Sequence, residues 1–198
     1  MRIIGGQARG RPLTAPRGTR TKPTTDRVRE GMFSMIASRL DLASARVLDL
    51  FAGSGALALE SISRGAERAL LVDSDNGCAR VIAKNAETLG FAARVEVSRQ
   101  RVESALARLA EAGRRFDLVL ADPPYDEPLL PLLTRIADAG VVADDGLLVV
   151  EHSVRTESPE LAAPLQRVVL RRYGDTVVSV YEPMALTDEP MPRDEDED

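Results

Sequence analysis

A chain of 198 residues has room for one ordinary domain, and its 44% apolar content can build a core that 29% charged residues cover. No apolar run is long enough to span a bilayer, and the start Met1-Arg2-Ile3-Ile4-Gly5-Gly6 lacks a signal-peptide apolar stretch. One cysteine, Cys78, excludes an internal disulfide and a cysteine-built zinc site, so a reducing, cytoplasmic setting is expected; a monomer without a metal site is expected as well. The net charge of −5 divides unevenly. Residues 1–30 carry eight Lys/Arg against two acids, a net +6, and residues 186–198 one Arg against seven acids, a net −6. The basic head suits a polyanion, with Arg2, Arg9, Arg11, Arg17, Arg20, Lys22, Arg27 and Arg29 as candidate RNA contacts. A solvated arm is the other reading of the same charges.

In chain order, residues 2–13 show short apolar stretches broken by glycines, which predicts a small hairpin. Residues 14–25 are rich in Thr, Pro and Arg, an extended connector. Thr25 can cap a helix whose apolar positions are Val28, Met32, Phe33, Ile36 and Leu40. From Arg46 a strand–helix beat follows. Strands are expected at 47–51, 69–73, 94–97, 116–121 and 146–151, with helices at 56–62, 79–89, 102–112 and 129–139 between them. Near-continuous apolar strands alternating with helices predict a parallel, doubly wound α/β sheet. Residues 168–170 and 176–181 flank the turn Tyr173-Gly174-Asp175 and are expected to pair antiparallel. The organisation predicted is a basic extension at 1–24, an α/β domain at 25–183 and a disordered acidic tail at 184–198.

Asp49-Leu50-Phe51-Ala52-Gly53-Ser54-Gly55 joins the first strand to its helix. Gly53 and Gly55 permit a tight turn close to a ligand, and the helix start offers free N–H groups. Asp73, twenty residues after Gly53, can accept ribose hydroxyls, and Ser74 follows it. The loop therefore predicts a nucleoside-containing cofactor, a nicotinamide dinucleotide or S-adenosylmethionine. Asp49 favours the second, because a carboxylate repels a pyrophosphate and attracts an ammonium and a sulfonium. It could instead serve to cap the following helix.

The fourth strand ends in Asp122-Pro123-Pro124-Tyr125. Two prolines make a stiff corner with free carbonyls. Such a corner suits a planar group bearing an exocyclic amine: Asp122 and the Pro123 carbonyl accept its hydrogens while Tyr125 stacks on the ring.

These features resemble class I S-adenosylmethionine-dependent amino-methyltransferases with an (N/D)PP(Y/F) tetrapeptide. The head motifs Arg2-Ile3-Ile4-Gly5-Gly6, Arg9-Gly10-Arg11 and Thr21–Glu30, taken with Val47–Leu59 and Phe116–Tyr125, resemble the ribosomal small subunit methyltransferase D family from Met1 to about Tyr181. The resemblance implies a seven-stranded Rossmann-like sheet and methylation of a guanine N2 amine in 16S rRNA, free or within a 30S particle. It implies that Asp49, Phe51, Ala52, Gly53, Ser54, Gly55, Asp73 and Asp122 contact cofactor or target. Related enzymes often place an acid after the third strand for the adenine amine. Here Ser98-Arg99-Gln100-Arg101-Val102 has none, so backbone groups of Arg101 and Val102, or Glu103, are the expected substitutes. A DNA adenine-N6 or cytosine-N4 methyltransferase shares the tetrapeptide but needs an extra sequence-reading region. An NAD-dependent oxidoreductase is opposed by Asp49, and a non-catalytic RNA-binding protein by the intact glycine loop. Cys78 and His152 are expected to be structural.

Overall fold

Strands that are apolar on both faces need cover on both faces, and the chain supplies it with five helices. The computed structural model describes residues 1–16, 25–125 and 127–184. Its elements are α1 (Asp26–Ala37), β1 (Arg46–Leu50), α2 (Ala56–Ser63), β2 (Arg68–Asp73), α3 (Asn76–Leu89), β3 (Val95–Arg99), α4 (Val102–Glu111), β4 (Phe116–Ala121), α5 (Leu129–Asp138), β5 (Val142–Ser153), β6 (Leu161–Ala162), β7 (Leu165–Tyr173) and β8 (Thr176–Pro183). They form one sheet in the order β3-β2-β1-β4-β5-β8-β7-β6. β1 to β5 run parallel, and β8, β7 and β6 are antiparallel additions.

The strand periodicity decides which helix covers which face. Val47, Leu71, Leu118, Leu120 and Val149 point to one side, where α1, α2 and α3 bring Phe33, Leu59 and Ile82. Leu48, Leu50, Val72, Val119 and Val150 point to the other, against Leu106 of α4 and Leu133 and Ile136 of α5. The order reverses between β1 and β4, so the carboxyl ends of those strands open a crevice.

Three departures from expectation have physical causes. The sheet has eight strands rather than seven, because residues 161–162 pair with β7 as the two-residue β6, too short to leave a sequence pattern. β5 begins at Val142, since Asp144-Asp145-Gly146 forms a bulge inside a strand rather than a loop before it; Phe116 pairs with Val142 and Leu118 with Leu147. The N-terminal hairpin is reduced to one antiparallel bridge between Arg2 and Pro12. The expected acidic tail beyond Met184 lies outside the described residues.

The first sixteen residues dock on the domain. Ile3 and Leu13 lie in the same core as α1 and α2. The Ile4 and Gly5 amides donate to Glu60 at 2.8 and 2.7 Å, the Ala8 amide donates to Ser63 Oγ at 2.9 Å, and Asn85 exchanges two hydrogen bonds with the Thr14 backbone. Glu60 is fully buried and is balanced by Arg64 at 2.8 Å. Glu60→Ala strands two amides and one cation, and we expect a stability loss of about 3 kcal/mol in urea unfolding. Amide exchange at Ile4 and Gly5 should accelerate with it. A loss below about 0.5 kcal/mol, the range of ordinary surface changes, would contradict this role for Glu60.

Candidate functional site

The turn after β1 reverses the chain within five residues, and its backbone shows the cost. Phe51, Gly53 and Gly55 have φ of 63°, 56° and 78°. Phe51 pays about 1–2 kcal/mol for the left-handed region, a strain typical of functional turns. At Gly55 the conformation and the packing agree, because a Cβ there would stand 3.0 Å from Leu71 Cδ2. At Gly53 a Cβ would meet only the Phe51 carbonyl, at 3.9 Å, so glycine keeps the backbone open toward whatever lies in front of it.

Two acids hold this turn. Asp73, at the end of β2, accepts the Gly53 amide at 2.8 Å through Oδ2 and the Asp75 amide at 2.8 Å through Oδ1. Asp49, on β1, accepts the Ala58 amide of α2 at 3.1 Å. Gly55 caps α2 without a side chain, so Asp49 does part of the capping from below. Asp49 is 1% exposed. Burial pushes its carboxyl up to about 7, opposed by the Ala58 N–H and reinforced by the charge of Asp73. Asp49 thus helps to cap the helix and also borders the cavity described next.

A cavity of about 550 Å³ opens at the carboxyl ends of β1, β2 and β4. Of the residues singled out as cofactor contacts, Asp49, Phe51, Ala52, Gly53, Ser54, Asp73, Ser74, Arg101, Val102 and Asp122 line it; Gly55 lies behind, under Leu71. Arg101 is the cap residue of α4 and Val102 its first residue; Glu103 joins them at the wall. Of the corner, Asp122 and Pro124 reach the cavity. Pro123 is buried behind them, and Tyr125 stands outside the cavity wall, 48% exposed. Burial, then the charges of Glu151 and Asp122, raise the pKa of Tyr125, and the Thr176 hydroxyl opposes them. Among the described residues, five carboxylates border the cavity (Asp49, Asp73, Glu103, Asp122 and Glu127) against two guanidiniums, Arg29 and Arg101. The wall therefore suits a ligand carrying positive charge.

The RNA candidates separate. Arg2, Arg9, Arg11 and Arg27 are exposed, with Arg2 paired to Asp26 at 3.0 Å and Arg11 donating to the Thr88 carbonyl at 2.5 Å. Arg17, Arg20 and Lys22 lie outside the described residues. Arg29 is a correction: it is fully buried and cannot meet a phosphate at the surface. It falls on the helix face of Met32, Phe33 and Ile36, and its spacing of three, four and seven from them was the available signal. Met1, Ala15, Pro16 and Glu127 also line the cavity and had no signal in the sequence. Cys78 and His152, expected to be structural, are both buried. The thiol is buried with its pKa pushed up to about 12, and the imidazole, depressed by burial, bonds Ser179 and the Ser153 carbonyl. Among the described residues no helix is long and apolar enough to cross a membrane.

Comparison with known proteins agrees with this geometry. Residues 1–182 match the family described as Conserved hypothetical protein 95. The protein YlbH of Bacillus subtilis is 40% identical over 182 residues, spanning 91% of this chain and 98% of YlbH. Ribosomal RNA small subunit methyltransferase D of Escherichia coli K12 is 41% identical over 165 residues, 82% of this chain and 80% of the relative. A solved hypothetical protein of Thermus thermophilus superposes with a TM-score of 0.80 at 32% identity, over 92% of this chain and 99% of that one. The sheet is that of a Rossmann-like class I methyltransferase. Strand order, glycine turn, proline corner and these likenesses agree, and the chain belongs to the ribosomal RNA small subunit methyltransferase D family.

Proposed function

We propose that this protein methylates the exocyclic N2 amine of a guanine in 16S rRNA, with S-adenosylmethionine as methyl donor. The observation that carries the reading is the cavity at the β1/β4 crevice, where an acid-rich wall meets a rigid Asp-Pro-Pro corner in a chain of this family. The donor set fits the cofactor: five carboxylates face a molecule with an ammonium and a sulfonium, and the open side of Gly53 leaves room for it. Bound S-adenosylmethionine supplies an electrophilic methyl group on sulfur.

The chain's own residues supply the rest. Asp73 has already committed one lone pair of each oxygen to the Gly53 and Asp75 amides, and its remaining ones accept ribose hydroxyls. Asp49 offers a charge to the ammonium. Asp122 and the Pro123 carbonyl accept the two hydrogens of the guanine amine, which leaves the nitrogen lone pair out of the base plane. Tyr125, half-exposed at the end of the corner, presents a ring to an extruded base. Because the substrate is aligned rather than activated, positioning carries most of the rate, and the amine proton leaves to water or Asp122 after transfer. Exposed Arg2, Arg9, Arg11 and Arg27 give the rRNA backbone its contacts, within a free transcript or a 30S particle.

Mass spectrometry of 16S rRNA from cells lacking the protein should show one N2-methylguanosine missing, restored by the wild-type gene. Asp122→Ala should fail to restore it and should slow single-turnover transfer at least about a hundredfold, as loss of a transition-state contact does, while cofactor affinity changes little. Tyr125→Ala should lose a stacking contact of about 1–3 kcal/mol and Tyr125→Phe much less. Intact methylation in the deletion, or an active Asp122→Ala enzyme, would overturn the reading.

Asp49 makes the site pH-dependent. Its folded pKa lies above that of the unfolded chain, so without ligand its contribution to stability is fully present below about pH 4 and lost as pH rises toward about 7. A cationic ligand prefers the ionised acid, so binding releases a proton. Affinity for S-adenosylhomocysteine, which keeps the ammonium, should rise about tenfold from pH 6 to pH 8 by calorimetry and then level off. Asp49→Asn should flatten the profile; an equally steep one in that variant would assign the proton elsewhere.

A further inference from the structure

Arg29 is the one residue whose buried side-chain nitrogens lack hydrogen-bond partners among the described residues. Its side chain is fully buried, yet only Nη2 is satisfied, by Asp26 Oδ1 at 2.6 Å and the Arg2 carbonyl at 2.8 Å. Nε and Nη1 have no partner among the described residues. A guanidinium keeps its proton in any protein environment, and a buried one is retained where an anion completes it. Asp26 is 44% exposed and neutralises it from one side only. Arg29 also borders the cavity, where it shares the wall with Asp49, itself buried.

An acid and a guanidinium buried in one wall are the complement of a zwitterion. We infer that Arg29 binds the α-carboxylate of the amino-acid half of S-adenosylmethionine, beside the ammonium held by Asp49, and so makes the site specific for the intact amino acid. The inference rests on the cofactor assigned above to this cavity. An RNA phosphate is the weaker candidate, because a polyanionic backbone would have to approach past Asp49, Asp122 and Glu127, whereas a zwitterion brings its own cation to those acids. Arg101, a second guanidinium at the wall, is 81% exposed and pairs with Glu103 at 3.7 Å, so it does not need the ligand in the same way. The lost exposure of Arg29 thus acquires a reason: α1 carries it inward on the face of Met32, Phe33 and Ile36.

The test is calorimetric and needs no turnover. The full chain, Arg29→Met and Arg29→Lys are titrated with S-adenosylhomocysteine and with its decarboxylated analogue, which keeps the adenosine, the thioether and the amine. Wild type should prefer the carboxylate-bearing ligand by about 10–100-fold, the range for a hydrogen bond to a charged group. In Arg29→Met the preference should fall to within about threefold, through weaker binding of S-adenosylhomocysteine alone. Circular dichroism and thermal melting establish that each variant is folded. If Arg29→Met does not fold, Arg29→Lys decides, since a shrunken preference supports the assignment and an unchanged one overturns it. Equal affinity of wild type for both ligands would overturn the carboxylate assignment and leave the cofactor reading standing. Failure of wild type to bind either would overturn the cofactor reading as well. A variant that keeps the ligand preference and loses rRNA affinity would assign Arg29 to a phosphate instead.

Discussion

The amides of a tight turn and of a short helix start need acceptors, and here two carboxylates rising from β1 and β2 provide them. Asp73 holds Gly53, Asp49 holds Ala58, and between them the Phe51–Gly55 turn is fixed in backbone conformations that would otherwise be unfavourable. The same two acids face the cavity. Position and chemistry are thus coupled: the groups that shape the turn also set the charge that a ligand meets. The cost is visible at Asp49, whose burial lifts its carboxyl to about 7. A fold optimised only for stability would replace such a group with an apolar one; its retention is understandable when a cation completes the site.

The second dependence runs from the N-terminus to the same cavity. The leading residues dock through Glu60, Ser63 and Asn85, and in docking they bring Met1, Ala15 and Pro16 to the cavity wall. Asn85 joins the two regions, because its amide donates to both the Thr14 and the Ser54 carbonyls. The basic head is consequently divided in position. Arg2, Arg9, Arg11 and Arg27 remain on the surface, whereas Arg29 turns inward beneath them.

Most of the fold was legible because its signals are periodic. The apolar runs of β1, β2, β4 and β5 and the helices between them appear at close to their sequence positions, and the Thr25 cap is made through its hydroxyl to the Val28 amide at 3.3 Å. What escaped was either too short or locally misleading. The two residues of β6 carry no pattern, and Asp144-Asp145-Gly146 has turn composition although a strand accommodates it as a bulge. Arg29 escaped for another reason: a sum of charges over a segment ignores which way a helix points each of them. Its spacing to Met32, Phe33 and Ile36 placed it on the buried face, and a charge there demands a partner. The wall residues Ala15 and Pro16 depend on tertiary docking alone, which no local pattern encodes.

A crystal structure of the complex with S-adenosylhomocysteine tests the central claim most directly, that the turn is built for its ligand before the ligand arrives. The account predicts an unmoved Phe51–Gly55 backbone, with Asp73 keeping the Gly53 amide while accepting the ribose hydroxyls and Asp49 still bonded to Ala58. A turn that rearranges on binding, or a ribose placed away from Asp73, would contradict it.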